Sequence, residues 1–588
     1  MLEPDDVGIH KTLGQCLVLE VNSSDIKIRL ISQSGAFDTH VVKRQDVIRI
    51  GSVTTENIMS KNKLKQRADE LVDKNIVGED EGKTLKAMID SPDDENFDLA
   101  HELISLKIEE KLIEPLNDGQ TAAFISIASF FRDREEDALV LKGYAGTGKT
   151  FLVNKIIEYI TVRFPHRRIA ITAPTNKAVQ VLMQSGLFIP NSTDNSVFND
   201  LFDSSQKVSY NTIHKLLGLT ESIDGSGNQT FKAKKKDKNE LRNYKYLIVD
   251  EVSMLDDTLC TEIMKHSKNV NIIFMGDPAQ IPPINRVDCI PFKEDDEYKF
   301  KRVMLDEIMR QKKGNPIVET SFILRENLTT TQPIRNIKTK LTDEGHGVFH
   351  IDSDKTRHLV REMLKEYFVT DEFKADANYA KVLAWRNATV NYMNGVIREM
   401  LYGKDIDPWM VGEKLVCNKA VFELGRNKFG SAWVIQFTTS QELEIADVNI
   451  VKHKYHEGGY SMNAAVYQCK VKCIDPENGV VYQDVIRIMH EDSMERWQEL
   501  LTESKKQALA MRESRLWVKH YNIQKWSANV GYNYAITCHK SQGSTYKNVL
   551  LIEEDVDRNK RTVERNRIKY TAYTRPTDKL YILRKNYE

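Results

Sequence analysis

Gly143-Tyr-Ala-Gly-Thr-Gly148-Lys149-Thr150 decides how this chain is read. The run fits G-x-x-x-x-G-K-[ST], a loop whose backbone N–H groups wrap phosphates. Gly143, Ala145, Gly146, Thr147, Gly148, Lys149 and Thr150 are therefore expected to cradle a nucleotide. Lys149 would reach the β- and γ-phosphates, and the Thr150 hydroxyl would hold Mg²⁺. The flanks agree with this reading. Asp137-Ala-Leu-Val-Leu-Lys142 reads as a buried strand, and Phe151-Leu-Val-Asn-Lys-Ile-Ile-Glu-Tyr-Ile160 as an apolar-faced helix. A loop that served only as a turn would not need Lys-Thr at that offset. By itself the loop names no reaction, because kinases, GTPases and motors all carry one.

Two further runs add chemistry. Leu247-Ile-Val-Asp250-Glu251 places two carboxylates directly after a buried strand, where an unpaired charge is costly. A metal ion explains the pair economically. Asp250 would complete the Mg²⁺ shell with Thr150, and Glu251 would orient and deprotonate the attacking water. The bland reading, an acidic pair at the start of the next helix, is the weaker one given the phosphate loop upstream. Gly276-Asp277-Pro-Ala-Gln280-Ile-Pro-Pro283 again follows a strand. Gln280 would hydrogen-bond a γ-phosphate or the lytic water, and Asp277 would brace that loop, although Gly-Asp-Pro alone is only a turn.

The chain of 588 residues has room for several domains. A hydrophobic content of 41% and a charged content of 29% are those of an ordinary soluble protein. No apolar run is long enough to cross a bilayer, and the N-terminus shows no signal segment. Cys469 and Cys473 lack a second Cys/His pair that would complete a zinc site, so reduced thiols are expected. A net charge of −1 excludes a globally basic nucleic-acid binder but leaves room for a local groove. The clusters Lys232 to Lys238 and Arg558 to Arg567 fit such a groove and fit solvated loops equally well.

Residues 15–51 alternate in the manner of a small antiparallel sheet or barrel, and residues 54–112 turn to charged helical segments. From Leu116 onward strands and helices alternate, which argues for parallel α/β architecture. The expected strands are 137–142, 168–173, 246–250 and 270–275, then a second set at 381–385, 534–537, 549–552 and 580–583. Both sets end on polar residues, where ligands bind in open α/β sheets. Alternating strands and a charged helix interrupt the second set between 408 and 519, which reads as an inserted subdomain.

With three motifs in this order the chain resembles superfamily 1 helicases, and further runs carry the resemblance. Leu116-Asn-Asp-Gly-Gln120 resembles the adenine-reading Q motif, Ala173-Pro-Thr-Asn-Lys-Ala178 motif Ia, and Thr212-Ile-His-Lys-Leu-Leu-Gly218 motif Ib. Leu305-Asp-Glu-Ile-Met-Arg310-Gln311 resembles motif IV. Tyr534-Ala-Ile-Thr-Cys-His539-Lys-Ser-Gln542-Gly543-Ser-Thr545 resembles motif V, and Tyr573-Thr574-Arg575 motif VI. Within the superfamily the resemblance is to the 5′-to-3′ branch, the Dda-like phage helicases and their RecD and Pif relatives. It covers roughly residues 113–588. The gap over 185–211 is longer than that pattern leads one to expect, and the segment before Leu116 has no counterpart in the minimal helicase.

The resemblance implies two RecA-like parallel-sheet domains forming an ATP cleft, with inserted small β subdomains and an N-terminal β plus α extension. The implied boundaries are a β domain over 1–53, a helical extension over 54–112, and motor domains over 113–315 and 316–588. Residues 220–243 would form a hairpin pin that splits the duplex, turned by Gly225-Ser-Gly227 and carrying Phe231 to the fork. Gln120 would contact adenine, Gly543 would line the nucleotide site, and Arg310 and Arg575 would neutralise γ-phosphate charge. Single-stranded DNA would meet Pro174, Thr175, Asn176, His214 and Lys215, then Trp385, Thr537 and His539. Trp385 reads equally well as a core tryptophan.

The implied activity is ATP- and Mg²⁺-dependent 5′-to-3′ unwinding of tailed duplex DNA in the cytoplasm, the host's if the gene is a phage's. The competing readings are a single-strand translocase or protein remodeller, an RNA helicase, and a module whose residues 1–112 dock a replication or recombination protein.

Overall fold

A computed structural model describes residues 6–10, 14–21, 25–30, 39–43, 47–52, 61–73, 77–91, 94–133, 135–164, 167–175, 178–179, 182, 208–233, 239–283, 286, 288–294, 298–307, 315–331, 338–352, 357–427, 430–474 and 481–584. Among them no helix is long and apolar enough to cross a membrane.

The strand that feeds the phosphate loop, Ala138–Gly143, lies inside a six-stranded parallel sheet. Across that sheet the order is Phe300–Leu305, Ala138–Gly143, Asn271–Gly276, Tyr246–Val249, Ile169–Ala173, Val208–Thr212. Its central strands are buried on both faces, which accounts for their unbroken apolar runs. The two outer strands alternate less cleanly and were not among those expected from the sequence. Parallel pairing brings the C-terminal ends of Ala138–Gly143, Tyr246–Val249 and Asn271–Gly276 to one edge. The three motifs that follow those strands therefore meet there.

A second six-stranded sheet has the order Lys340–Leu341, Gly347–Asp352, Pro576–Arg584, Tyr546–Ile552, Ala380–Ala384, Ala535–Thr537. All its pairings are parallel except that of the short edge strand Lys340–Leu341. The two parallel sheets and the α/β fold class agree with the sequence reading.

The insertion in the second sheet is a five-stranded antiparallel sheet with a separate hairpin, Val421–Asn427 with Gly430–Phe437. Its last strand, Val530–Tyr532, pairs with Lys414–Cys417, so the insertion reaches 532 rather than 519. Two of its strands, Glu442–Glu457 and Tyr460–Ile474, form a long ribbon. The ribbon turns at Gly458 and Gly459, both with positive φ, as a tight hairpin requires. Helices Glu491–Met511 and Ser514–Lys525 lie against the ribbon. Tyr455, Trp497 and Trp526 join them, with ring centroids 5.1 to 5.4 Å apart.

At the N-terminus, five antiparallel strands between Asp6 and Ser52 form a sheet of their own. The helices Lys61–Asp73, Glu79–Asp90 and Asp94–Ile113 do not stand apart from the first α/β sheet. Leu71, Leu85, Ile104 and Ile108 share one core with Phe124, Ile156 and Tyr159 of the helices beside the first six-stranded sheet. Arg163, at the end of the helix that follows the phosphate loop, pairs with Glu102 through two bonds of 2.6 and 2.9 Å. The two side chains are 7% and 5% exposed. Removing one partner of such a buried pair costs about 3–5 kcal/mol.

Candidate nucleotide cleft and nucleic-acid path

The phosphate loop closes over itself because of its glycines. Gly146 and Gly148 have φ of 82° and 77°, a region that side chains disfavour. A Cβ on Gly143 would come within 2.8 Å of the Thr147 hydroxyl. The Lys149 ammonium donates to the carbonyls of Gly143 and Tyr144 at 2.6 and 2.9 Å, which holds it over the loop. Gln120 is 2% exposed. Its amide donates to the Thr147 carbonyl at 3.4 Å and accepts from the Asn117 N–H, which ties it to the phosphate loop.

Asp250 follows its strand directly, and burial, reinforced by the neighbouring Glu251, pushes its carboxyl up to about 7. Lys149 opposes that shift but does not reverse it. A desolvated carboxyl beside a second one is the donor set a hard divalent cation stabilises, so Asp250 and Thr150 fit Mg²⁺. Glu251 is held at φ 50°, a strained backbone for a residue with a side chain. Such strain is found where a functional group must be aimed.

Asp277 braces the third motif as expected. It is 1% exposed, and one oxygen accepts from the Ala279 N–H at 2.9 Å. Gln280 is buried, and its side-chain oxygen has no hydrogen-bond partner among the described residues. An unsatisfied buried acceptor of this kind calls for a donor that arrives with a ligand or water.

The second motor domain meets this edge through the helix Thr562–Tyr573. Arg567, Tyr570 and Thr571, spaced i, i+3 and i+4, lie on one helical face. Arg567 pairs with Asp288 at 2.9 Å, and the Thr571 hydroxyl accepts from the Ile281 N–H at 3.3 Å. The Tyr570 hydroxyl donates to the second oxygen of Asp277 at 2.7 Å and accepts from the Ala145 N–H at 3.2 Å. Gln542 adds a bond to the Ile281 carbonyl at 3.0 Å. The Arg325 guanidinium lies 4.0 Å from the centre of the Tyr144 ring. None of these cross-cleft partners was assigned from the sequence, and only the helical spacing on Thr562–Tyr573 could have suggested three of them.

Arg575 is buried at the end of that helix. It donates to the carbonyls of Thr571 and Ser544 and to the Thr574 hydroxyl at 2.9 to 3.0 Å. Gly543, expected at the nucleotide, abuts the motif Ia segment. A Cβ there would lie 3.2 Å from that of Ala178, and its φ of 72° also favours glycine. Arg310 lies outside the described residues.

The cleft motifs lie within two family matches. Residues 128–286 match the family described as an AAA domain, and 532–583 match the UvrD-like helicase C-terminal domain. Among curated relatives, the ATP-dependent DNA helicase Dda of Enterobacteria phage T4 is 26% identical over 316 residues, covering 53% of this chain and 62% of Dda. These matches support a superfamily 1 helicase similar to the Dda, RecD and Pif group. The RecBCD subunit RecD of Buchnera aphidicola is 24% identical over 472 residues, with 76% and 70% coverage. An uncharacterised protein of Acanthamoeba polyphaga mimivirus is 26% identical over 504 residues, with 79% and 99% coverage.

Along the expected DNA path, Pro174 and Thr175 follow the strand Ile169–Ala173, and the Thr175 hydroxyl caps the Ala178 N–H at 3.2 Å. Asn176 lies outside the described residues. His214 and Lys215 sit on a one-turn helix capped by the Thr212 hydroxyl. Burial lowers the His214 and His539 imidazoles below the usual range. Thr537 caps the turn that follows it, accepting from the Lys540 N–H at 3.3 Å. Trp385 is half-buried against the core of the second parallel sheet, and its backbone N–H donates to Asp555 at 3.0 Å.

The segment expected to form the pin contains a hairpin, Leu219–Ile223 with Gln229–Ala233. Phe231 is not at its tip. It stands mid-strand opposite Glu221, and the turn is made by 224–228 around the Asp224 carboxylate. The inserted subdomain holds the turn. Trp517 donates from its indole to the Gly225 carbonyl at 3.1 Å, and the Tyr521 hydroxyl to the Gly227 carbonyl at 2.9 Å. A Cβ on Gly227 would overlap the Trp517 ring at 2.5 Å.

Proposed function

We propose that this helicase couples ATP hydrolysis to 5′-to-3′ movement on single-stranded DNA and splits duplexes with its hairpin pin. The observation that carries the reading is the meeting of Lys149, Asp250, Glu251 and Gln280 on one sheet edge, with the helix Thr562–Tyr573 of the second motor domain bonded across it. Lys149 would exchange the Gly143 and Tyr144 carbonyls for β- and γ-phosphate oxygens. Mg²⁺ held by Thr150 and Asp250 would neutralise charge on the transferred phosphoryl group. Glu251 would take the proton of the attacking water, and Gln280 would use its free acceptor to orient that water.

Arg575 and Arg310 would supply the remaining positive charge, with Arg575 exchanging its carbonyl partners for a phosphate once the closed cleft holds ATP. Gln120 would report on the adenine through its bond to Thr147. On the DNA side, Pro174, Thr175, Asn176, His214 and Lys215 would hold one stretch of backbone, and Trp385, Thr537 and His539 the next. Cleft opening and closing would release these grips in alternation.

Polarity is tested on duplexes carrying a single-stranded tail at one end only. The expected result is ATP-dependent strand separation with a 5′ tail and little with a 3′ tail. Preferential unwinding of the 3′-tailed duplex contradicts the assignment.

A further inference from the structure

We propose that Tyr570 is a positioning residue that locks the phosphate loop to the loop bearing Gln280 whenever the second motor domain closes on the first. The inference rests on the ATP-driven reading above and adds a named link within that site.

The geometry is a single chain of hydrogen bonds. The Ala145 N–H donates to the Tyr570 oxygen at 3.2 Å, and the Tyr570 hydroxyl donates to Asp277 at 2.7 Å. The other Asp277 oxygen accepts from Ala279 at 2.9 Å, one residue before Gln280. Serial bonds of this kind polarise and strengthen one another in a dry interior. Tyr570 is buried, and burial together with Asp277 raises its phenol well above the usual value. It therefore keeps its proton and can donate to a carboxylate while accepting from an amide. Phenylalanine would fill the same space and do neither.

The link crosses the cleft. Tyr570 belongs to a helix that packs on the second domain, against Pro316–Glu326 and Pro576–Arg584. Its two partners belong to the first domain. Two independent contacts bring the same surfaces together, Thr571 on Ile281 and Arg325 on Tyr144. Arg575 does not take part, since its guanidinium is bonded to Thr571, Ser544 and Thr574. Closure would therefore set the Gln280 loop through Tyr570 as a step separate from delivery of the arginine.

The test is Tyr570→Phe in the full chain, read in two ways. Amide hydrogen exchange without nucleotide should quicken at Ala145, while the strand Ala138–Gly143 keeps its protection. DNA-stimulated ATP turnover should fall in kcat by about tenfold or more, with the ATP KM within about twofold, because an oriented catalytic group has been lost rather than a binding contact. Combining Tyr570→Phe with Asp277→Asn should cost little more than the worse single variant, as members of one chain are not additive.

Unchanged exchange at Ala145, a uniform quickening of the whole sheet, or a loss carried by KM alone overturns the assignment. The exchange readout needs no hydrolysis. Its failure is thus distinguishable from failure of the ATP-driven reading, which Lys149→Ala tests.

Discussion

Two histidines on the expected DNA path, His214 and His539, both have their imidazoles lowered by burial, only partly offset by Asp256 and Glu564. The unfolded value is about 6.5, so both rings stay neutral near pH 7 and the folded chain resists protonating them. The sign follows directly. Their contribution to stability is fully present above the unfolded value and is lost as pH falls below it. Any contact they make to a phosphate is then an N–H hydrogen bond without charge. Single-strand affinity should be flat between pH 7 and 8, and His539→Gln should leave the salt dependence of binding unchanged. A gain in affinity from pH 8 to 7 that disappears in His539→Gln would contradict this.

At the same scale, the residues legible in sequence are those whose partners lie within a few positions. Lys149 bonds to Gly143 and Tyr144, and Asp277 to Ala279. Tyr570 was not legible, because its partners lie 293 and 425 positions away and nothing near it in the sequence marks them.

At the scale of elements, hydrophobic runs identified the central strands of both sheets because those strands are buried on both faces. The edge strands Val208–Thr212 and Phe300–Leu305 are only partly buried over much of their length, and their mixed pattern hid them. The pin was legible as a hairpin from Gly225 and Gly227, but its docking was not, since Trp517 and Tyr521 come from the insertion nearly 300 positions later. That docking gives the hairpin a rigid backing. Gly227→Ala would push a methyl into the Trp517 ring and strain a left-handed backbone, costing roughly 1–3 kcal/mol locally. The expected outcome is DNA-stimulated ATP turnover within about twofold of wild type, as an uninvolved site behaves, but strand separation down several-fold. Equal losses of turnover and unwinding would show that the hairpin is part of the motor and not a separate wedge.

For the whole molecule, the parallel α/β architecture was readable from the alternation of strands and helices after Leu116, but the position of the N-terminal helices was not. Residues 54–112 look charged and peripheral in composition, yet their apolar faces complete the first motor core, and Glu102 is paired to Arg163 inside it. The antiparallel sheet within 6–52 is hydrogen-bonded as a sheet of its own, and its strand Val47–Ser52 touches the helix Asp118–Asp133.

The central claim is that Gly143 to Thr150 is the engine that drives DNA movement. Lys149→Ala tests it most directly, with ATP turnover and single-strand binding measured on the same preparation. The account predicts turnover down by about 10³-fold or more, since phosphoryl transfer depends on positioned charge, with single-strand affinity nearly unchanged. Retained turnover, or loss of DNA binding equal to the loss of turnover, would contradict it.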